Sequence, residues 1–166
     1  MKLNLEIILQ NRKGGVEMRQ YYGYENFKED TNKLLEALRQ HQFEAIVCIA
    51  RGGYTLAHAV AEGLDIRDLQ SLRTELYDDT QKRESLTLFG ECEFLDKKKV
   101  LVLDDIADSG ETLMFVMKYL QEKFPDIDFY SATLFCKKSS VYEPDFWVNE
   151  ATNWIDFFWE RDFLPN

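Results

Sequence analysis

Four apolar residues, Val100-Leu101-Val102-Leu103, run straight into two adjacent carboxylates, Asp104 and Asp105. Asp108 follows three residues later, and Ser109-Gly110-Glu111-Thr112 then opens a helical pattern. A glycine, two hydroxyls and backbone N–H groups at a helix N-terminus make a cradle for a phosphate. Two carboxylates beside such a cradle suit ribose hydroxyls or a Mg²⁺-bound sugar phosphate. A bare helix cap at Asp108 or Ser109 would need one acid, not three at this spacing. A second cluster, Arg51-Gly52-Gly53, interrupts another apolar run. Arginine carries a fixed positive charge, and paired glycines let backbone N–H groups approach an anion closely. Taken alone, these three residues read better as a turn with a surface arginine; the downstream acidic motif reverses that preference.

The elements that must carry these residues alternate. Phe27, Thr31, Leu34, Leu35 and Leu38 share one face of a helix over about 26–41. Ala45–Ala50 is a short apolar run suited to a buried parallel strand, and Tyr54–Glu62 reads as a helix stopped by Gly63. Leu69–Tyr77 reads as a strand and Asp78–Lys99 as a polar, weakly patterned loop. A strand over Lys99–Leu103, a helix over Thr112–Phe124 ending before Pro125, and a strand over Phe129–Phe135 follow. Strands alternating with helices predict an α/β fold with a mainly parallel sheet, whose ligands sit beyond the carboxyl ends of the strands.

The Val100–Thr112 stretch resembles the phosphoribosylpyrophosphate (PRPP) motif of the type I phosphoribosyltransferases, with Ala107 smaller than the usual aliphatic. Ala50-Arg51-Gly52-Gly53 is similar to that family's pyrophosphate loop, Leu134-Phe135-Cys136-Lys137 to its base-recognition strand, and Trp154-Ile155-Asp156 to a purine-binding tail. Over about 20–160 the likeness is to the short bacterial xanthine-guanine enzymes. It implies a central sheet flanked by helices, a mobile lid loop and a C-terminal hood. It implies transfer of 5-phosphoribose from PRPP to N9 of a 6-oxopurine (xanthine, guanine or hypoxanthine), with Mg²⁺ as cofactor and pyrophosphate as product. Asp104 and Asp105 would hold the ribose hydroxyls, directly or through the metal. Asp108, Ser109, Gly110, Glu111 (by its backbone) and Thr112 would hold the 5′-phosphate, with Asp108 also handling the N7 proton. Arg51, Gly52 and Gly53 would bind pyrophosphate, after a cis peptide at Ala50–Arg51. Lys137 would donate to the 6-oxo group, with Lys138 the alternative one residue on; Trp154 would stack on the base and Ile155 would add backbone contacts. Tyr77 marks the start of the lid, where Leu76 replaces a usual serine, and Lys82 and Arg83 either would meet the pyrophosphate on closure or belong to a plain solvated loop. Trp147, Trp159, His58, Cys48 and Cys136 read as structural. The resemblance further implies a homo-oligomer, dimer or tetramer.

Composition narrows the rest. The 166 residues fit one domain, and 45% hydrophobic with 30% charged residues is a folded, core-forming composition. A net charge of −10 lacks the footprint of a nucleic-acid or anionic-membrane binder, and disfavours the alternative of a PRPP-sensing regulator acting on nucleic acid. No integral membrane segment is present. Three widely spaced cysteines and two histidines build neither a disulfide framework nor a His-Cys metal centre, which points to a cytoplasmic protein. No GxGxxG or GxxxxGK[ST] motif occurs. Residues 1–17 stand apart from a catalytic domain over 18–166. Lys13-Gly14-Gly15 has the coding character of a ribosome-binding sequence shortly before Met18, so either Met18 is the true start and 1–17 is mostly untranslated leader read as protein, or 1–17 is an extra strand alternating at Leu3, Leu5, Ile7 and Leu9.

Overall fold

The computed structural model describes residues 7–12, 15–79 and 82–165, with side chains for 18–75 and 86–165. In chain order the elements are β1 (Ile7–Arg12), β2 (Gly15–Tyr22), α1 (Tyr24–Leu38), β3 (Ala45–Ala50), α2 (Tyr54–Leu64), β4 (Leu69–Asp79) and β5 (Lys82–Phe89). They continue as β6 (Lys99–Leu103), β7 (Ile106–Ala107), α3 (Glu111–Lys123), β8 (Asp128–Cys136), β9 (Phe146–Glu150), β10 (Trp154–Phe157) and α4 (Phe158–Arg161). The larger sheet runs β5-β4-β3-β6-β8, with β7 and β9 also paired to β8. Every pairing in it is parallel except β4 with β5. A smaller sheet, β1-β2-β10, joins the N-terminal hairpin to the C-terminal tail.

The central strands are apolar throughout because both of their faces are covered. Ile46, Cys48, Leu101 and Leu103 point to one side, where they pack with Leu34, Leu38, Leu56 and Val60 of α1 and α2. Val47, Ile49, Val100 and Val102 point to the other, against Leu113, Val116 and Leu120 of α3. Each such fully buried aliphatic is worth roughly 1.5–3 kcal/mol. The five residues expected to share a face of α1 are all buried. Cys48 and Cys136 are core residues, as expected.

Several boundaries differ from the sequence reading. Gly63 does not stop α2; the helix runs on to Leu64 and closes at Asp65, which takes the left-handed conformation (φ 54°) and donates its N–H to Ala61 and Glu62 carbonyls. Helix α1 starts at Tyr24 and ends at Leu38, short of His41. The polar stretch 78–99 is not all loop: β5 pairs antiparallel with β4 from Arg73↔Phe89 to Asp79↔Lys82. The side chains of Tyr77, Lys82 and Arg83, assigned to a lid, lie outside the described residues, as do residues 1–6 and 13–14 and every side chain of the 1–17 segment. Among the described residues, no helix is long and apolar enough to cross a membrane.

Candidate active site

Because β3, β6 and β8 are parallel, their carboxyl ends open on one edge of the sheet. Arg51, Asp104 and Lys137 each leave a strand there. The acid pair occupies a break: β6 ends at Leu103, β7 starts at Ile106, and both strands pair with β8. Backbone bonds hold the break in place. Asp104 N–H donates to the Ala132 carbonyl, and the Asp105 carbonyl accepts from the N–H groups of Leu134 and Phe135. Asp105 N–H donates to Asp104 Oδ1 at 2.9 Å.

Asp105 is 6% exposed and Asp104 half-buried. Burial, then the neighbouring Asp105 charge, pushes the Asp104 carboxyl well above the usual carboxylate range. Burial and then Glu160 push the Asp105 carboxyl up as well. These two acids are therefore short of positive charge where they stand.

A cavity of about 600 Å³ opens over them. Asp104, Asp105, Asp108 and Thr112 line it from the sheet side, Lys137 from the end of β8, and Trp154 and Ile155 from the tail. Lys137 Nζ donates to Asp108 Oδ1 at 2.9 Å. Lys138 points elsewhere, to Glu150 on β9 at 3.2 Å. Trp154 is 49% exposed, whereas Ile155 is buried, so the indole presents a free apolar face and the isoleucine anchors the strand.

Of the remaining expected residues Gly52 also lines this cavity, and the others surround it. Ser109 and Glu111 are exposed and Gly110 is buried at the start of α3, with φ 80°. Ser109 Oγ accepts the Glu111 N–H at 3.3 Å. Gly110 has no room for a side chain, because a Cβ would collide with Ser140 Oγ. The Ala50–Arg51 peptide is cis, as the resemblance implied. Gly52 lines the main cavity and an adjoining one of about 770 Å³, while Arg51 lines only the second. A Cβ on Gly52 would fall 2.5 Å from Asp105 Oδ2, so the loop backbone rests directly on that carboxylate.

Glu160 and Arg19 lie near the site and were given no role from the sequence. Glu160, on α4, lines both cavities and adds a third acid to the surroundings of the Asp pair. Its only sequence signal is its place just after Trp154-Ile155-Asp156. Arg19 lies on β2 and lines the second cavity, and nothing local marks it. Trp159 stacks on Phe157 (4.6 Å between centroids), as a packing residue does, whereas Trp147 is exposed and donates to Glu143.

Among known proteins, residues 18–163 match the family model described as phosphoribosyl transferase domain. A solved Helicobacter pylori xanthine-guanine-hypoxanthine phosphoribosyltransferase is 40% identical, with a TM-score of 0.82, over 87% of this chain and 95% of that one. A purine phosphoribosyltransferase from Pyrococcus horikoshii is 27% identical, with a TM-score of 0.74, over 89% and 97%. The xanthine-guanine phosphoribosyltransferase of Idiomarina loihiensis is 29% identical over 84% of this chain and 86% of its own.

Proposed function

The chain belongs to the phosphoribosyltransferase family, and from that premise we propose that it is a purine salvage enzyme moving 5-phosphoribose from PRPP to N9 of a 6-oxopurine. One observation carries this reading. A single cavity joins an acid pair at a strand end, the start of a phosphate-type loop, a lysine and an exposed indole.

In the proposed reaction the C1′–O bond to pyrophosphate breaks and the leaving group keeps the electron pair. The N9 lone pair forms the new bond to C1′, and the N7 proton passes to the Asp108 carboxylate. Such a positioned base contributes about 10²–10⁴-fold. Asp104 and Asp105 accept hydrogen bonds from the ribose hydroxyls. The backbone N–H groups at the start of α3, with Ser109 and Thr112, receive the 5′-phosphate. Arg51 and the backbone of Gly52 and Gly53 receive the pyrophosphate. Trp154 stacks on the base and Lys137 donates to its 6-oxo oxygen.

The donor set fits Mg²⁺. Asp104 and Asp105 are hard oxygen donors left short of positive charge, and among the described residues no group of three or more acids, histidines or cysteines could enclose a metal. One or two carboxylates completed by substrate oxygens and water is how this ion is commonly held. When bound, it neutralises charge on the pyrophosphate. Asp104 and Asp105 would hold it from the protein side.

The test is a PRPP- and Mg²⁺-dependent assay against xanthine, guanine, hypoxanthine, adenine and uracil. Nucleotide and pyrophosphate in equal amounts from the three oxopurines, with adenine and uracil left largely unused, is the expected result. No turnover of any oxopurine would overturn the reading.

A further inference from the structure

We infer that Arg19 is a positioning residue for base binding, acting through the indole of Trp154; this rests on the reading of Trp154 as the surface on which the base stacks. Strand β2 pairs in parallel with β10, and the register sets Arg19 beside Trp154. The Arg19 guanidinium lies over the Trp154 ring, 5.6 Å from its centroid. Trp154 lines both cavities, whereas Arg19 lines only the second. The indole is thus a partition, with the base site on one side and the guanidinium on the other.

The guanidinium is itself held. Its Nε donates to Asp156 Oδ2 at 3.0 Å and its Nη2 to Asp156 Oδ1, a two-pronged contact between residues 137 apart in sequence. Arg161 Nη1 approaches the same carboxylate from α4 at 3.4 Å. The Asp156 side chain is 10% exposed and that of Arg19 26%, so the contact is shielded better than a surface pair. A planar fork clamped on a carboxylate keeps its face in a constant orientation, and a cation over an indole face is attracted by the ring's electron density.

The consequence concerns a side chain that is half-exposed. An exposed indole samples several rotamers, and stacking a base on it must first freeze one of them. Arg19 holds the ring upright before the base arrives. Lysine would keep the charge but not the planar, two-pronged grip.

Arg19→Met keeps the aliphatic stem and removes the charge. The KM for guanine or xanthine should rise about 3–10-fold, the scale of ordering one side chain on binding. The KM for PRPP and kcat should stay within about twofold, and Arg19→Lys should recover only part of the loss. In a Trp154→Ala background, Arg19→Met should add nothing further. A direct readout needs no substrate: the part of the emission lost in Trp154→Phe should become more accessible to acrylamide after Arg19→Met. An unchanged purine KM in Arg19→Met, or an equal loss in the Trp154→Ala background, overturns the inference while Trp154→Ala still tests the base site. If Trp154→Ala itself leaves the purine KM unchanged, the stacking assignment fails and the role of Arg19 with it, whatever the acrylamide result.

Discussion

Lys137 and Asp108, 29 residues apart in sequence, meet at 2.9 Å across the mouth of the cavity, and each side chain is about half exposed. They come together because Lys137 follows β8 and Asp108 follows β7, and the backbone joins the two exits where Lys137 N–H donates to the Ala107 carbonyl. An exposed pair of this kind is worth about 0–1 kcal/mol, so an entering base can compete for it. Lysine has three N–H donors, enough to keep Asp108 while serving a 6-oxo oxygen. The proposed base contact and the proposed proton acceptor are therefore one electrostatic unit.

Lys137→Met is expected to lower kcat/KM for guanine and xanthine on the order of 10–100-fold and to narrow discrimination against adenine, whose amino group cannot accept from the ammonium. Lys138→Met, which breaks only the pair with Glu150, is expected to change little. Steady-state kinetics on the three bases compares them. A larger effect at Lys138 would shift the assignment by one residue.

Asp108→Asn keeps the shape of the side chain and removes the proposed proton acceptor. Turnover is expected to fall by about 10²–10⁴-fold. Calorimetry should find PRPP affinity nearly unchanged, since the N–H groups of the α3 start remain. Full activity in this variant would make Asp108 a loop residue with no part in the chemistry.

Asp105→Asn should separate stability from function. The wild-type carboxylate is buried beside Asp104 and near Glu160, so its charge is repelled in the empty protein. Removing that charge is expected to raise the Tm of the ligand-free enzyme while PRPP binding weakens sharply. A melting scan with and without PRPP and Mg²⁺ reads both. A lower ligand-free Tm would contradict the electrostatic account.

Gly52→Ala and Gly53→Ala should fail differently. At Gly52 the new Cβ meets a side chain, the Asp105 carboxylate, at 2.5 Å. At Gly53 it meets the Leu103 and Ile49 carbonyls at 2.6 and 2.8 Å, which are sheet backbone and cannot yield. The first substitution should mainly cost PRPP turnover, and the second should mainly lower the Tm. Equal melting temperatures for both variants would count against this distinction.

Alkaline pH should unfold the protein through its buried thiols. Burial pushes Cys48 up to about 12 and Cys92 up to about 11. The unfolded chain ionises its cysteines near pH 8.5, so between there and pH 11–12 it releases protons that the folded state keeps. Stability is thus intact below pH 8.5 and lost as pH rises through that window. Cys92→Ala should flatten the decline in Tm between pH 9 and 11, and neither thiol should react with iodoacetamide at pH 8 in the folded protein.

What the sequence determined by itself was local. Apolar runs such as Ala45–Ala50 and Lys99–Leu103 announced central parallel strands, and Gly52, Asp104 and Asp105 just beyond their ends line the cavity. The five-residue face of α1 was equally legible, because a helix carries its own periodicity. Tertiary structure decided everything that depends on a partner far along the chain. Strand β5 sits in a charged stretch, and its identity comes from its antiparallel register against β4. Gly63 reads as a stop, yet it lies inside α2, where its bare Cα gives room to Leu35 of α1. Adjacent lysines are alike as letters, and only the N–H bond to Ala107 and the position of Glu150 send Lys137 into the cavity and Lys138 away from it. Arg19 reaches Trp154 and Asp156 only because β2 and β10 are neighbours, a pairing between opposite ends of the chain that no local pattern encodes.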